Sequence, residues 1–170
     1  MALAGLPGTG KTALARALAG LDSSLVVLNK DELRLVLLPG RAAYDEADND
    51  FVVGAALQAA AYLLSRGKAT LVVLDGRTFT RRSQREQVAE FCLGLGIRLV
   101  WVELVCADDI ALERIRADQG AHPAADRDAA LYRRLLEAAE PFDADLRIDT
   151  AEMSPSEAAQ FVHGYTIRGA

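Results

Sequence analysis

The stretch Met1-Ala2-Leu3-Ala4-Gly5-Leu6-Pro7-Gly8-Thr9-Gly10-Lys11-Thr12 decides the reading of this chain. Residues 5–12 fit the spacing GxxxxGK[ST], with a short apolar run before them and a helix-patterned stretch after them, which is the context this motif requires. Its glycines let the backbone turn so that N–H groups converge on phosphate oxygens, helped by the N-terminal end of the following helix. Gly5, Pro7, Gly8, Thr9 and Gly10 therefore form the expected phosphate cradle. Lys11 is expected to reach the β- and γ-phosphates and Thr12 to ligate Mg²⁺ through its hydroxyl. The implied cofactors are ATP and Mg²⁺. Only four residues precede Gly5, so the first strand is unusually short and an upstream start or a trimmed terminus stays open.

Working outward, short apolar runs at 2–4, 25–28, 71–74, 99–105 and 146–148 alternate with helix-patterned stretches at 11–19, 31–37, 48–65, 82–95, 108–117, 127–139 and 155–162. This β-α-β-α order predicts an α/β fold in three layers, a parallel sheet with helices on both faces. Gly20, Gly40, Gly67, Gly96 and Gly120 are the expected helix stops. Ligands of such sheets bind along the edge formed by the carboxyl ends of the strands. The Gly/Pro-bracketed segment 120–126, between two arginine-bearing stretches, is the expected mobile element.

Length and composition set the bounds. The 170 residues suit one domain spanning 1–170 with a core that needs no disulfide or structural metal, and half the residues are apolar. The formal charge of −5 argues against a general nucleic-acid coat, although a local basic groove that takes a nucleic-acid end stays open. Cys92 and Cys106 are too far apart for a CxxC pair, and only His122 and His163 could join them as metal ligands. Both cysteines read as buried small hydrophobes in a reducing compartment. No apolar run approaches the ~20 residues that span a bilayer, which predicts a cytoplasmic protein without a membrane partner. The sequence leaves the oligomeric state open.

The residues beyond the cradle separate the possible phosphate-binding chemistries. In Leu25-Val-Val-Leu-Asn-Lys-Asp-Glu-Leu-Arg34 the segment Asn29-Lys30-Asp31-Glu32 looks like a guanine-reading NKxD. Glu32 stands where Asp is required, and the segment comes too early. Thr78 occupies the glycine position of a DxxG after Asp75, so a GTPase is disfavoured. The chain is also too short for the extra helical domain of a ring-forming AAA+ machine. Asp31, at the tip of the second strand, is placed to orient an acceptor hydroxyl and take its proton. Arg34 falls on the same helical face and could hold an acceptor phosphate or carboxylate. The plain alternative is that Asp31 caps a helix and Arg34 is solvated. Asp75 ends an apolar strand, as an acid that supports Mg²⁺ does, or else serves as a turn residue before Gly76. Arg77 and Thr78 follow at the same edge and either face the acceptor or lie on the surface. Arg114 and Arg116 lie in the helix that leads into 120–126. One of them could swing over the phosphates as an arginine finger, and their i, i+2 spacing points them to different sides.

Gly5–Thr12, then Asn29–Arg34, then Leu71-Val-Val-Leu-Asp-Gly-Arg-Thr-Phe-Thr-Arg-Arg82, together resemble the P-loop kinase group that contains the phage-type polynucleotide 5′-kinase, zeta toxin, chloramphenicol phosphotransferase and adenylylsulfate kinase. Cys106-Ala-Asp-Asp-Ile110, Pro141-Phe-Asp143 and Leu146-Arg-Ile-Asp-Thr150 extend the likeness over nearly the whole chain. The resemblance implies a five-stranded parallel sheet in the order 2-3-1-4-5 and a small helical lid, roughly residues 113–130, that contributes arginine. It also implies Asp31 as general base and Arg34 on the acceptor. The third strand of polynucleotide kinases tends to read Asp-x-Asn, where this chain has Asp75-Gly-Arg77, and the Ser-Pro element of adenylylsulfate kinases is not found. The resulting expectation is an ATP-dependent kinase acting on a hydroxyl of a small molecule, nucleotide or nucleic-acid end. A nucleotide-dependent switch or partner-regulated ATPase is the alternative, and an inactive nucleotide-binding module a third. The acidic segment 40–50 is expected to line the acceptor pocket, mildly disfavouring a highly anionic acceptor.

Overall fold

Alternate residues of the apolar runs point to opposite sides of a strand, and here both sides are covered. In the computed structural model, which describes residues 1–41, 45–118 and 128–168, the elements run β1 (Ala2–Ala4), α1 (Lys11–Leu21), β2 (Leu25–Asn29), α2 (Lys30–Leu37), α3 (Glu46–Ser65), β3 (Leu71–Asp75), α4 (Arg82–Gly94), β4 (Trp101–Val105), α5 (Asp108–Ala117), α6 (Ala129–Glu137), β5 (Leu146–Asp149) and α7 (Pro155–Arg168). The sheet has the order β2-β3-β1-β4-β5 with every pairing parallel. This is the strand order that the resemblance implied.

Leu3, Val73, Val102 and Ile148 face one side and pack with Leu14 and Leu18 of α1 and Val162 of α7. Ala2, Ala4, Val72 and Leu74 face the other and pack with Val53 and Leu57 of α3 and Val88 of α4. The three residues of β1 are essentially inaccessible at the centre of the sheet. Burial on both faces replaces the alternating pattern with continuous apolar runs. Because the strands are parallel, β1, β2 and β3 deliver the phosphate loop, Asn29 and Asp75 to one edge. Register pairs Asn29 with Asp75 directly.

Two expectations about helices are corrected. Gly20 does not stop α1, which continues through it to Leu21. The buried Leu14 and Leu18 anchor the helix, so one exposed glycine, worth about 1 kcal/mol, does not end it. α7 runs on past Val162 to Arg168. Gly40, Gly67 and Gly96 do follow helix ends in left-handed geometry. Gly120 and the rest of 120–126 lie outside the described residues. Cys92 is buried, whereas Cys106 is only partly so, which corrects its reading as a core residue. Burial raises the pKa of both thiols. Among the described residues no cluster of His, Cys, Asp and Glu has the makings of a metal cage, and no helix is long and apolar enough to cross a membrane.

Candidate active site

The loop from β1 to α1 wraps closely around its own atoms. The Thr9 hydroxyl donates to the Leu6 carbonyl at 2.8 Å, and Lys11 Nζ donates to the carbonyls of Gly5 and Leu6, each at 2.8 Å. Thr9 and Lys11 are buried, and Thr12 is half-buried. Gly8 has φ 81°, and a Cβ there would stand 2.4 Å from the Ala111 carbonyl oxygen, so the loop lies directly against the backbone of α5. Only glycine permits both that φ and that approach.

Asp75 reaches the same edge from β3. It is buried, its Oδ2 accepts from Asn29 Nδ2 at 2.7 Å, and its Oδ1 is buried without a hydrogen-bond partner among the described residues. A buried carboxylate oxygen without a donor is costly unless a cation or ordered water meets it. Asp75 and Thr12 thus have the hard oxygen chemistry that suits Mg²⁺. Asn29 was not singled out from the sequence, yet it organises this edge. While its Nδ2 holds Asp75, its Oδ1 accepts from the N–H groups of Asp31 at 2.9 Å and Glu32 at 3.2 Å, capping α2. In the sequence it stands out only as the first residue of the rejected NKxD and of the segment Asn29–Arg34 that carries the resemblance.

The cap of α2 is Asn29, so Asp31 is left for other work. Asp31 Oδ1 meets Arg34 Nη1 at 3.0 Å and Lys30 Nζ at 3.2 Å. Arg34 is buried rather than solvated, and the Asp31 side chain is 12% exposed. Lys30 and Arg34 Nη2 both donate to Asn49 Oδ1, and Asn49 Nδ2 donates to the Asp45 carbonyl at 2.7 Å. Burial lowers the Lys30 pKa, partly offset by the Asp31 carboxylate. Lys30 and Asn49 are further residues that the sequence reading missed. Their roles depend on α3 folding back beside α2.

Arg77 is buried, not superficial. Its Nη2 pairs with Asp50 of α3 at 2.7 Å and its Nη1 donates to Gln87 of α4 at 3.3 Å. Two residues on, Phe79 is fully buried at φ 51°, left-handed for a bulky residue. That turn points the Thr78 carbonyl at the Gly5 N–H (2.9 Å) and the Phe79 carbonyl at Arg85 Nη1 (3.0 Å), tying the β3–α4 connection to the start of the phosphate loop. Packing of Phe79 edge-on to Trp101 over-determines it, with centroids 5.2 Å apart.

The two candidate lid arginines part company, as their spacing suggested. Arg114 Nη1 donates to the Gly8 carbonyl at 3.3 Å and to Thr150 Oγ1 at 2.8 Å, and its Nη2 to the Thr150 carbonyl at 2.9 Å, bracing the phosphate loop against the β5–α7 connection. Arg116 is exposed and lines neither cleft described below. Tyr132 of α6 is buried and donates its hydroxyl to Asp108 at 2.7 Å, fastening α6 to α5; burial raises its pKa.

Two clefts open beside these residues. One, of about 510 Å³, runs past Gly8, Gly10, Arg16, Arg114 and Asp118. The other, of about 290 Å³, is lined by Lys30, Arg34, Asn49, Arg77 and Gln84, with Asp45, Glu46 and Arg81 around it. Lys11, Thr12 and Asp31 line both.

A family model described as an AAA domain matches residues 1–142. No curated protein matched the chain in sequence. Among solved structures, a candidate kinase from Chloroflexus aurantiacus is similar at 23% identity and TM-score 0.73, covering 96% of this chain and 95% of that one. The Mycobacterium tuberculosis APS kinase CysC in complex with AMPPNP and APS is similar at 22% and 0.71, covering 95% and 93%. Chaetomium thermophilum Kti12 in complex with ADP-AlF3 is similar at 14% and 0.71, covering 96% of each. These likenesses establish the fold.

Proposed function

The chain belongs to the AAA domain family, and from that premise we propose that it is a phosphotransferase that moves the γ-phosphoryl group of Mg·ATP to a hydroxyl of a second molecule. The observation that carries this reading is the shared wall: Lys11, Thr12 and Asp31 line both clefts. A donor in the larger cleft and an acceptor in the smaller one would meet across a cation, a hydroxyl and a carboxylate.

On this reading the backbone of residues 5–10 and the N-terminus of α1 hold the phosphates. Lys11, now spanning two loop carbonyls, exchanges one of them for a phosphate oxygen. Thr12 and Asp75 would hold Mg²⁺, which supplies charge neutralisation to the phosphates. Asp31 presents Oδ2 to the acceptor, since its Oδ1 is taken by Lys30 and Arg34. It accepts the hydroxyl proton there. Arg34 and Arg77 position the acceptor. Arg114 steadies the phosphate loop from the nucleotide side, and the geometry supports it over Arg116 for that work.

The test is transfer of label from γ-labelled ATP, with Mg²⁺, into pooled alcohols: 5′-hydroxyl oligonucleotides, nucleosides, adenylylsulfate, sugars and aminoglycoside- or phenicol-type compounds, with Lys11→Ala as the blank. A labelled acceptor that vanishes in the blank is the expected result. Lys11-dependent release of inorganic phosphate, indifferent to every acceptor, would overturn it. A second reading, a partner-regulated ATPase, is favoured by Leu35, Val36 and Phe51, large apolar side chains exposed on α2 and α3, the two helices that also contribute Arg34 and Asn49 to the smaller cleft. It predicts hydrolysis that a protein stimulates and small alcohols leave unchanged.

A further inference from the structure

The charges of the smaller cleft are distributed unevenly. Of its cations, Lys30, Arg34 and Arg77 have side chains 14% exposed or less; among its described carboxylates Asp31, at 12%, is comparably enclosed, whereas Asp45 and Glu46 are exposed at the surface. Exposed carboxylates act through water and are screened, while buried cations are not. Asp50, on the same acidic segment, is already paired with Arg77. The acidic residues of this segment that line the cleft, Asp45 and Glu46, therefore leave its enclosed charge mainly positive. The chain as a whole carries −5, which makes this concentration of buried positive charge a local feature of the cleft.

Lys30 has only a shared claim on a carboxylate. Its carboxylate contact is Asp31 Oδ1, the same oxygen that Arg34 occupies, and its hydrogen bond to Asn49 is to a neutral amide. Burial already penalises its ammonium form. Lys30 lines the smaller cleft and not the larger one, so its charge is offered on the acceptor side rather than to the nucleotide. A volume of about 290 Å³ lies at the small end of ligand pockets, and Thr78 and Gln84 supply neutral groups that suit hydroxyls.

We propose that the acceptor is a small alcohol carrying its own oxyanion, a phosphate, sulfate or carboxylate group, and that Lys30 is the residue that selects for it. The proposal rests on the reading of this cleft as the acceptor side. The anion completes the coordination of Lys30 beside Arg34 and sets the hydroxyl toward Asp31 Oδ2. A neutral alcohol of the same shape leaves the Lys30 ammonium as it stands and gains only hydroxyl contacts.

The test is direct binding to protein loaded with Mg·AMPPNP, so that the phosphate loop is filled and no turnover is required. Matched pairs serve as probes: ribose and ribose 5-phosphate, glucose and gluconate, adenosine and adenosine 3′-monophosphate. The expected result is that the anionic member of at least one pair binds about thirtyfold or more tightly, the scale set by a desolvated charge pair. Lys30→Met should abolish that preference, Lys30→Arg should restore most of it, and AMPPNP affinity should stay unchanged in both as evidence of folding. Equal binding within every pair, no binding by any anionic probe, or a preference that survives Lys30→Met would overturn the proposal. Label transfer from ATP run beside it separates the two claims. Lys30-dependent anion binding without transfer keeps this site and refutes the phosphotransferase, whereas transfer to neutral alcohols unaffected by Lys30→Met does the reverse.

Discussion

Replacing Gly8 by alanine should damage the protein more than the same change at Gly10, although the two glycines sit two residues apart in one motif. Both have left-handed backbone, φ 81° and 87°. Each alanine therefore incurs about 1–2 kcal/mol for that conformation. At Gly10 the new Cβ would find its nearest atom, Thr150 Cγ2, at 3.5 Å, an ordinary contact. At Gly8 it would stand 2.4 Å from the Ala111 carbonyl oxygen and 3.0 Å from the Ala111 carbonyl carbon and Cα. These are backbone atoms of a helix that Arg114 binds to the loop, so neither side yields cheaply. Overpacking of this kind adds about 1–3 kcal/mol. For a domain of this length each kcal/mol lowers the melting temperature by about 2–4 °C. Gly8→Ala should thus melt about 6 °C below Gly10→Ala in the absence of nucleotide, and should lose the larger share of Mg·AMPPNP affinity. Thermal unfolding by circular dichroism with a parallel nucleotide titration reads both quantities. Equal melting temperatures, or a Gly10→Ala that melts lower, would refute the close approach of the phosphate loop to α5.

Arg114→Leu should weaken Mg·AMPPNP binding by about tenfold through loss of its charged hydrogen bonds to Gly8 and Thr150, while Arg116→Leu leaves it unchanged; a fall in turnover alone would instead mark Arg114 as a finger acting on the phosphates. Asp50→Ala should destabilise the fold by about 1–2 kcal/mol in urea titrations, because among the described residues Arg77 is left buried with the neutral Gln87 as its hydrogen-bond partner, the loss being moderated by the half-exposure of Asp50. Hydrogen bonds from Ser24 first, and then from His163, hold the Asp22 pKa at about 2, below its ordinary 3.8. Because the folded pKa is the lower one, this stabilisation is present above pH 4 and is lost as pH falls toward 2. Melting curves across that window should be flatter for Ser24→Ala than for the parent, and coincident curves would contradict the assignment.

Legibility in the sequence followed the range of the interaction. The phosphate loop and the acid tip of β3 depend on fixed local spacing, and Lys11, Thr12 and Asp75 were readable because their neighbours in the chain define them. The sheet was readable because burial on both faces leaves uninterrupted apolar runs. Asn29 was not, since its significance lies in a hydrogen bond to Asp75 across two strands. Asn49 and Lys30 meet only when α3 folds back beside α2, and the left-handed turn at Phe79 is set by packing against Trp101 rather than by any turn-forming residue. Arg34 and Arg77 illustrate the other limit: a sequence shows that an arginine is present, and burial alone shows that it is enclosed rather than solvated.

Phosphoryl transfer across the wall shared by the two clefts is tested most directly by single-turnover transfer of label from γ-labelled ATP by the parent, Lys11→Ala and Asp31→Asn, with Mg·ATP affinity measured alongside. The predicted result is transfer by the parent, loss of both binding and transfer in Lys11→Ala, and near-normal binding in Asp31→Asn with transfer reduced by about 10²–10⁴-fold. Transfer that persists in Asp31→Asn, or binding and transfer lost together there, would contradict it.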